Sequence, residues 1–196
     1  AARSGYSPVS KPRVATRVEK GNIVLELDGQ PALAVYRDFL GPRVSEMPAV
    51  SIEFPLGVVP EGSNETQPDL TRAIFGIDEA RGALVLGGTV LEGAKLRILS
   101  CSQSDILVGA RTATSLALSA MPQPDAALLF NCMSRKVVMG GRYRDEVAEA
   151  LRLLPAGLAS AGFYTFGELS PANDMTEHHE STFTLALLKL GHRSAE

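Results

Sequence analysis

The chain is predicted to be α+β, a mainly antiparallel or mixed β-sheet system flanked by helices. Three observations lead there. Short apolar runs follow one another between residues 14 and 100, separated by glycine or acidic turns. Such links are too short for the crossover that a parallel pair requires, so they favour antiparallel pairing. Two helical patterns, 103–120 and 145–154, flank a pair of longer apolar runs, Ala126–Asn131 and Gly162–Gly167.

Taken in order, residues 1–13 carry Gly5, Pro8 and Pro12 among small polar residues and read as a loop or connector. Val14–Glu19 and Asn22–Leu27 alternate apolar and polar around Lys20-Gly21, a two-residue hairpin signal. Pro31 suits a first helical turn, and Leu33, Tyr36, Phe39 and Leu40 share one face before Gly41-Pro42. Strands are expected over Val50–Val58, Arg72–Asp78, Ala83–Gly87 and Lys95–Ser100, with a polar loop over 60–69. Ser102 or Ser104 can cap a helix over Gln103–Ala120, where Ile106, Ala110, Ala113 and Ala117 recur at helical spacing.

Pro122 and Pro124 break the chain before the Ala126–Asn131 strand. A helix over Asp145–Leu154 places Val147, Leu151 and Leu154 on one face. The Gly162–Gly167 strand, a polar loop from Ser170 to Glu180 and a strand over Thr182–Leu190 complete the chain. The runs at 126 and 162, joined through an amphipathic helix, predict two neighbouring buried strands with that helix packed over them.

Composition narrows the function. With 45% hydrophobic and 21% charged residues, the chain can bury a core. Its net charge of −3 and scattered Lys and Arg lack the clustered cations that nucleic acid requires. No apolar stretch approaches the ~18–20 residues of a membrane span. Two cysteines, Cys101 and Cys132, make no disulfide framework and no C-x-x-C zinc pair. The N-terminus has neither a signal-peptide core nor an initiator Met, so it reads as processed or cut from something longer. A reducing, cytoplasmic setting is expected.

Phe130-x-Cys132-x-x-Arg135, followed by Gly162-Phe-Tyr-Thr-Phe-Gly-Glu168, resembles the C-terminal domain of the FIST family of signal-transduction proteins. Tyr36-Arg-Asp-Phe-Leu40-Gly41 is similar to its opening helix, Arg72 with Gly76 to its arginine-bearing strand, and Leu91-Glu92-Gly93 to its glutamate-glycine turn. His179-Glu180-Ser181-Thr182 is similar to a His-Asn-x-Thr element, with Glu180 where relatives often carry Asn. The resemblance implies a FIST C-like sensory domain over 30–196. It also implies that 1–29 are a linker or the end of a preceding N-terminal FIST domain, which would be a partner within the same protein.

That resemblance implies a small ligand such as an amino acid, or a signalling or substrate-recruiting partner protein. A zwitterion needs a cation and an anion. Arg135 or Arg72 can hold a carboxylate bidentately, Glu168 can take an ammonium, and Tyr164 and Thr165 offer hydroxyls. Cys132, Arg135, Tyr164 and Glu168 are expected to converge, unless Arg135 and Glu168 pair and close the site. The implied ligand-binding set is therefore Arg72, Cys132, Arg135, Tyr164, Thr165, Glu168 and His179. A thiol-dependent enzyme built on Cys132 with His178 or His179 as base is a further possibility. So is a haem-based gas sensor with one of those histidines as axial ligand. Gly87-Gly88 and Gly140-Gly141 fit no phosphate-binding pattern and read as turns.

Overall fold

A computed structural model describes residues 1–60, 70–172 and 175–191. Its strands and helices run β1 (Ala2–Arg3), β2 (Ser7–Pro8), β3 (Arg13–Glu19), β4 (Ile23–Leu27), β5 (Gln30–Pro31), α1 (Ala32–Leu40), β6 (Leu56–Val58), β7 (Leu70–Arg72), β8 (Ile74–Asp78), β9 (Ala83–Leu86) and β10 (Lys95–Ser100). There follow α2 (Gln103–Ala120), β11 (Ala126–Cys132), α3 (Met133–Met139), α4 (Tyr143–Leu153), β12 (Ala159–Thr165), β13 (Glu168–Ala172), β14 (Met175–His179) and β15 (Phe183–Leu188). The fold is α+β, as the sequence predicts. No helix among the described residues is long and apolar enough to cross a membrane.

The larger sheet has the order β7-β6-β10-β3-β4-β9-β8, with β2 added on β10 and β5 on β4. Its two outermost strands, β7 and β8, are separated in sequence by Ala73 alone. The sheet therefore curls until its ends meet, around a core that includes Val24, Leu33, Tyr36, Leu56, Leu84 and Leu96. α1 closes that core with one face, and the Tyr36 hydroxyl donates to the Phe54 carbonyl at 2.6 Å. The second sheet, β1-β15-β11-β12, is mixed. β11 runs antiparallel to β15 and parallel to β12. α2 and α4 pack together on one face of it, over Ala127, Leu129, Phe183 and Leu185. The many alanines of α2 let its backbone approach closely. Its start is fixed by a reciprocal capping box between Ser102 and Asp105.

Several expectations are corrected. Residues 1–13 are not a bare loop or connector: β1 pairs with β15 and β2 with β10, while the expected strands β3 and β4 pair within the larger sheet. Val50–Val58 is not one strand, because Ala49–Ile52 winds as a 3-10 turn and only Leu56–Val58 pairs. Arg72–Asp78 breaks at Ala73 into strands that pair with different neighbours. Ser170–Glu180 is mostly a hairpin, β13 with β14, and not a loop. Gly162–Gly167 is not buried. β12 begins at Ala159 and forms the sheet's outer edge, with Phe163 66% exposed. Helix α3 was not expected at all. The polar loop expected over 60–69 lies, apart from Pro60, outside the described residues.

Candidate functional site

β11 ends where α3 begins, and the side chains around that junction divide by strand alternation. Asn131 and Tyr164 are register partners on the helical face of the sheet, whereas Cys132 and Thr165 are partners on the opposite face. The seven residues implied as a site are thus split by β11 and β12, and do not form one concavity.

Arg135 is 0% exposed and lies on the helical side. Its Nε and Nη2 donate to Glu146 Oε1 at 2.6 and 2.5 Å. The remaining donors reach the carbonyls of Ile106 and Ser181, each at 3.0 Å, and of Ser4. Asn131 Nδ2 donates to the other Glu146 oxygen at 2.6 Å. The ion pair is therefore with Glu146 of α4, not with Glu168, and the guanidinium is committed to the fold. Tyr164 lies nearby against Tyr143, and the Lys136 ammonium sits 4.9 Å from both ring centroids.

On the other face, Glu168 is buried between hydroxyls. Thr165 Oγ1 donates to one oxygen and Thr182 Oγ1 to the other, the latter at 2.7 Å. Burial pushes its carboxyl above the ordinary carboxylate range, partly opposed by these bonds. Burial, with the Glu168 carboxylate next in weight, likewise raises the Cys132 thiol. A thiol held protonated is a poor nucleophile, because the thiolate is the reactive form. His179 is buried with Nε2 3.2 Å from the Ser170 carbonyl, and burial lowers its pKa.

Arg72 is also consumed by backbone. It donates to the carbonyls of Thr89 and His178 at 2.9 Å and of Thr71 at 3.1 Å, tying the β13–β14 hairpin to the larger sheet. Beside it, Glu180 Oε2 accepts from the Ala73 N–H at 2.9 Å, while the buried Oε1 has no hydrogen-bond partner. Burial pushes the Glu180 carboxyl up to about 7. Gly87 and Gly88 make room for both groups. A Cβ at Gly87 would lie 1.9 Å from Glu180 Oε1, and one at Gly88 would lie 2.7 Å from Arg72 Cδ. This glycine pair permits close approach, which goes beyond the turn the sequence suggested.

A cleft of about 380 Å³ opens where the two sheets meet. Its walls are mostly apolar: Ile52 and Ala49 of the 3-10 turn, Ile74 and Phe75 of β8, Met133 and Val137 of α3, and Phe166 after β12. Cys132, Ser134, Glu180 and Ser181 supply its polar lining along with Ser51. Ser134 Oγ lies 3.0 Å from Ser181 Oγ and 3.3 Å from Cys132 Sγ. Of the implied site residues, only Cys132 lines this cleft. Sequence reasoning missed Ser134, Ser181, Phe75 and Phe166. Phe166 stands inside the quoted Gly-Phe-Tyr-Thr-Phe-Gly-Glu run, and Glu180 was signalled by its replacement of Asn.

Neither His178 nor His179 lines the cleft, so the residues present do not fit a haem there. Among the described residues no group of three or more His, Cys, Asp or Glu is arranged to hold a metal ion.

The profile of the FIST C domain matches residues 32–171. The chain belongs to the FIST C domain family. That family is associated with signal transduction and sensory domains. The match contains α1, the Cys132–Arg135 junction and Glu168, and it stops short of Glu180 and Ser181. An uncharacterized protein of Mycobacterium tuberculosis (strain ATCC 25618 / H37Rv) is 30% identical over 192 residues, covering 93% of this chain and 49% of its own length. An uncharacterized protein of Mycobacterium bovis (strain ATCC BAA-935 / AF2122/97) is 28% identical over 188 residues, with 93% and 48% covered. The FIST C chain therefore spans about half the length of the curated relatives it matches. No solved structure matches it.

Proposed function

We propose that this FIST C domain is a cytoplasmic sensory module that binds a small, mainly apolar ligand in the cleft between its two sheets, without turning it over. The observation that carries this reading is the cleft itself. A volume of about 380 Å³ with apolar walls and a few polar groups has the character of small-molecule sites. No Arg or Lys is among its described lining residues, and the buried Glu180 carboxyl favours a donor or amine over an anion. An amino acid would seat its apolar side chain inside and keep its carboxylate in the open mouth, because Arg72 and Arg135 are occupied by backbone and Glu146. The raised Cys132 thiol supports binding over chemistry. The two free cysteines suit a reducing compartment. The resemblance to FIST proteins supports an N-terminal FIST domain as the partner that reads the bound state.

A thermal-shift panel of branched apolar amines, alcohols and amino acids tests the reading. A ligand at 100 times its Kd stabilises by about 2.7 kcal/mol. The shift is expected to vanish in Val137→Trp, which fills the cleft from an exposed position, and to persist in Cys132→Ser. A shift that survives Val137→Trp places binding elsewhere, and one lost in Cys132→Ser points to thiol chemistry.

A further inference from the structure

β12 forms the outer edge of the four-stranded sheet, hydrogen-bonded to β11 on one side only among the described strands. Its seven residues, Ala159 to Thr165, contain no charge and no proline, and the first five are exposed. Edge strands are ordinarily blunted by Lys, Pro, bulges or covering loops, because their open N–H and C=O groups template pairing. Here the register with β11 is unbroken over all seven residues. A second cleft, of about 250 Å³, runs beside this edge between β12 and α4, lined in part by Leu129, Val147, Leu151, Ser160 and Gly162.

We propose that β12 pairs antiparallel with β12 of a second copy, about a two-fold axis at Gly162, joining the two four-stranded sheets into one. The strand's own sequence selects this occupant. It is small in its first half and large in its second, so reversing it against itself sets small residues opposite large ones. Ser160 then faces Tyr164 of the second copy, Ala161 faces Phe163, Ala159 faces Thr165 and, just beyond, Leu158 faces Phe166. Directly opposed residues point to the same side of a sheet. Tyr164 of the second copy therefore stands over Ser160, at the cleft beside α4. On the other side Phe163 of the second copy covers Ala161, next to the edge-to-face pair of Phe130 and Phe163, whose centroids are 5.3 Å apart. From Leu158 to Phe166 no charge meets a like charge, which would oppose the pairing. A strand from an unrelated protein has no reason to match this small-to-large order.

Sedimentation velocity of the chain over a concentration series tests the proposal, and a reversible monomer–dimer equilibrium is expected. Ala161→Asp and Phe163→Arg each place a charge opposite an apolar residue twice per dimer, and each is expected to weaken association about tenfold. Combined in one chain, the two introduced charges face each other across the axis in both copies, and dimerisation is expected to return. Both positions are exposed, so the fold should persist, as unchanged far-UV circular dichroism and retained cooperative unfolding would verify. A wild-type chain that stays monomeric, a dimer indifferent to either single substitution, or a combined variant no tighter than the single ones overturns the proposal.

Discussion

On the helical side of β11, the Arg135 guanidinium meets the Glu146 carboxylate, and backbone carbonyls take up its other donors. On the opposite side, Glu168 and Glu180 are buried against hydroxyls and a backbone N–H, and one Glu180 oxygen is left without a hydrogen-bond partner. The first cluster matches opposite charges in place and serves the architecture. The second keeps acids whose charged forms are disfavoured, and it borders the cleft. A residue's presence in a motif therefore does not decide its work. Arg135 belongs to the motif that carries the family resemblance, yet it acts as a fastener of α3, α4 and the N-terminal segment.

The largest loss of stability is expected at Arg135. Arg135→Ala leaves Glu146 charged and buried, and is expected to cost about 3–5 kcal/mol of stability in urea unfolding. Replacing Arg135 and Glu146 together by Leu and Met should cost far less, because neither charge is then left alone. A small loss in the single variant would show that water reaches the pair.

The next effect belongs to Glu180. Its carboxyl lies near 7 in the folded chain and near the ordinary ~4.3 when unfolded. The folded state therefore holds the proton more tightly, and stability falls as pH rises from about 4.5 to 7, then levels off. Glu180→Gln should remove this slope and stabilise the chain at pH 8 by up to roughly 3–4 kcal/mol, since each tenfold difference in proton affinity is worth ~1.4 kcal/mol. Little change is expected at pH 4. Glu168 is raised in the same direction whereas His178 and His179 are lowered, so a falling slope that remains in the variant reports on Glu168 and a rising one on the histidines. Urea unfolding at pH 4, 6 and 8 separates the two.

The smallest effect sharpens the boundary between the clusters. Ser181 belongs to both, since its carbonyl accepts from Arg135 and its hydroxyl meets Ser134. Ser134→Ala removes the hydroxyl's contacts with Ser181 and with the Cys132 sulfur and is expected to cost about 1 kcal/mol. A double-mutant cycle that combines Glu180→Gln with the joint replacement of Arg135 and Glu146 should show near additivity if the clusters are energetically separate.

Local signals were legible where the chain carries its own instructions. The α2 boundaries follow from the Ser102 cap and the recurrence of Ile106, Ala110, Ala113 and Ala117, and the structure ends the helix at Ala120 before Pro122. The β3–β4 hairpin turns at Lys20-Gly21, both with positive φ, although Asn22 joins them in a three-residue link in place of the expected two. The Ala126 run is a buried strand because it is apolar without interruption. The failures lie where neighbours decide. Met133–Met139 is too short for a periodic pattern to stand out, and the β13–β14 hairpin pairs polar residues that alone read as loop. The Gly162 run resembles a central strand, but no further strand in the described chain covers it.

For the candidate site, the division is the same. Composition, the apolar runs and the quoted motifs together determined an α+β chain of the FIST C kind with its conspicuous residues gathered at strand ends. Those features depend on periodicity and on local turn chemistry, which a sequence carries by itself. Which side of β11 each residue faces, that Arg135 takes Glu146 as its partner, and that Glu180 comes against Gly87 and Ala73 were decided only by the tertiary structure. Those contacts join residues from 11 to 107 positions apart in the chain. Burial turns such long-range encounters into a matched charge pair on one side and a raised carboxyl on the other.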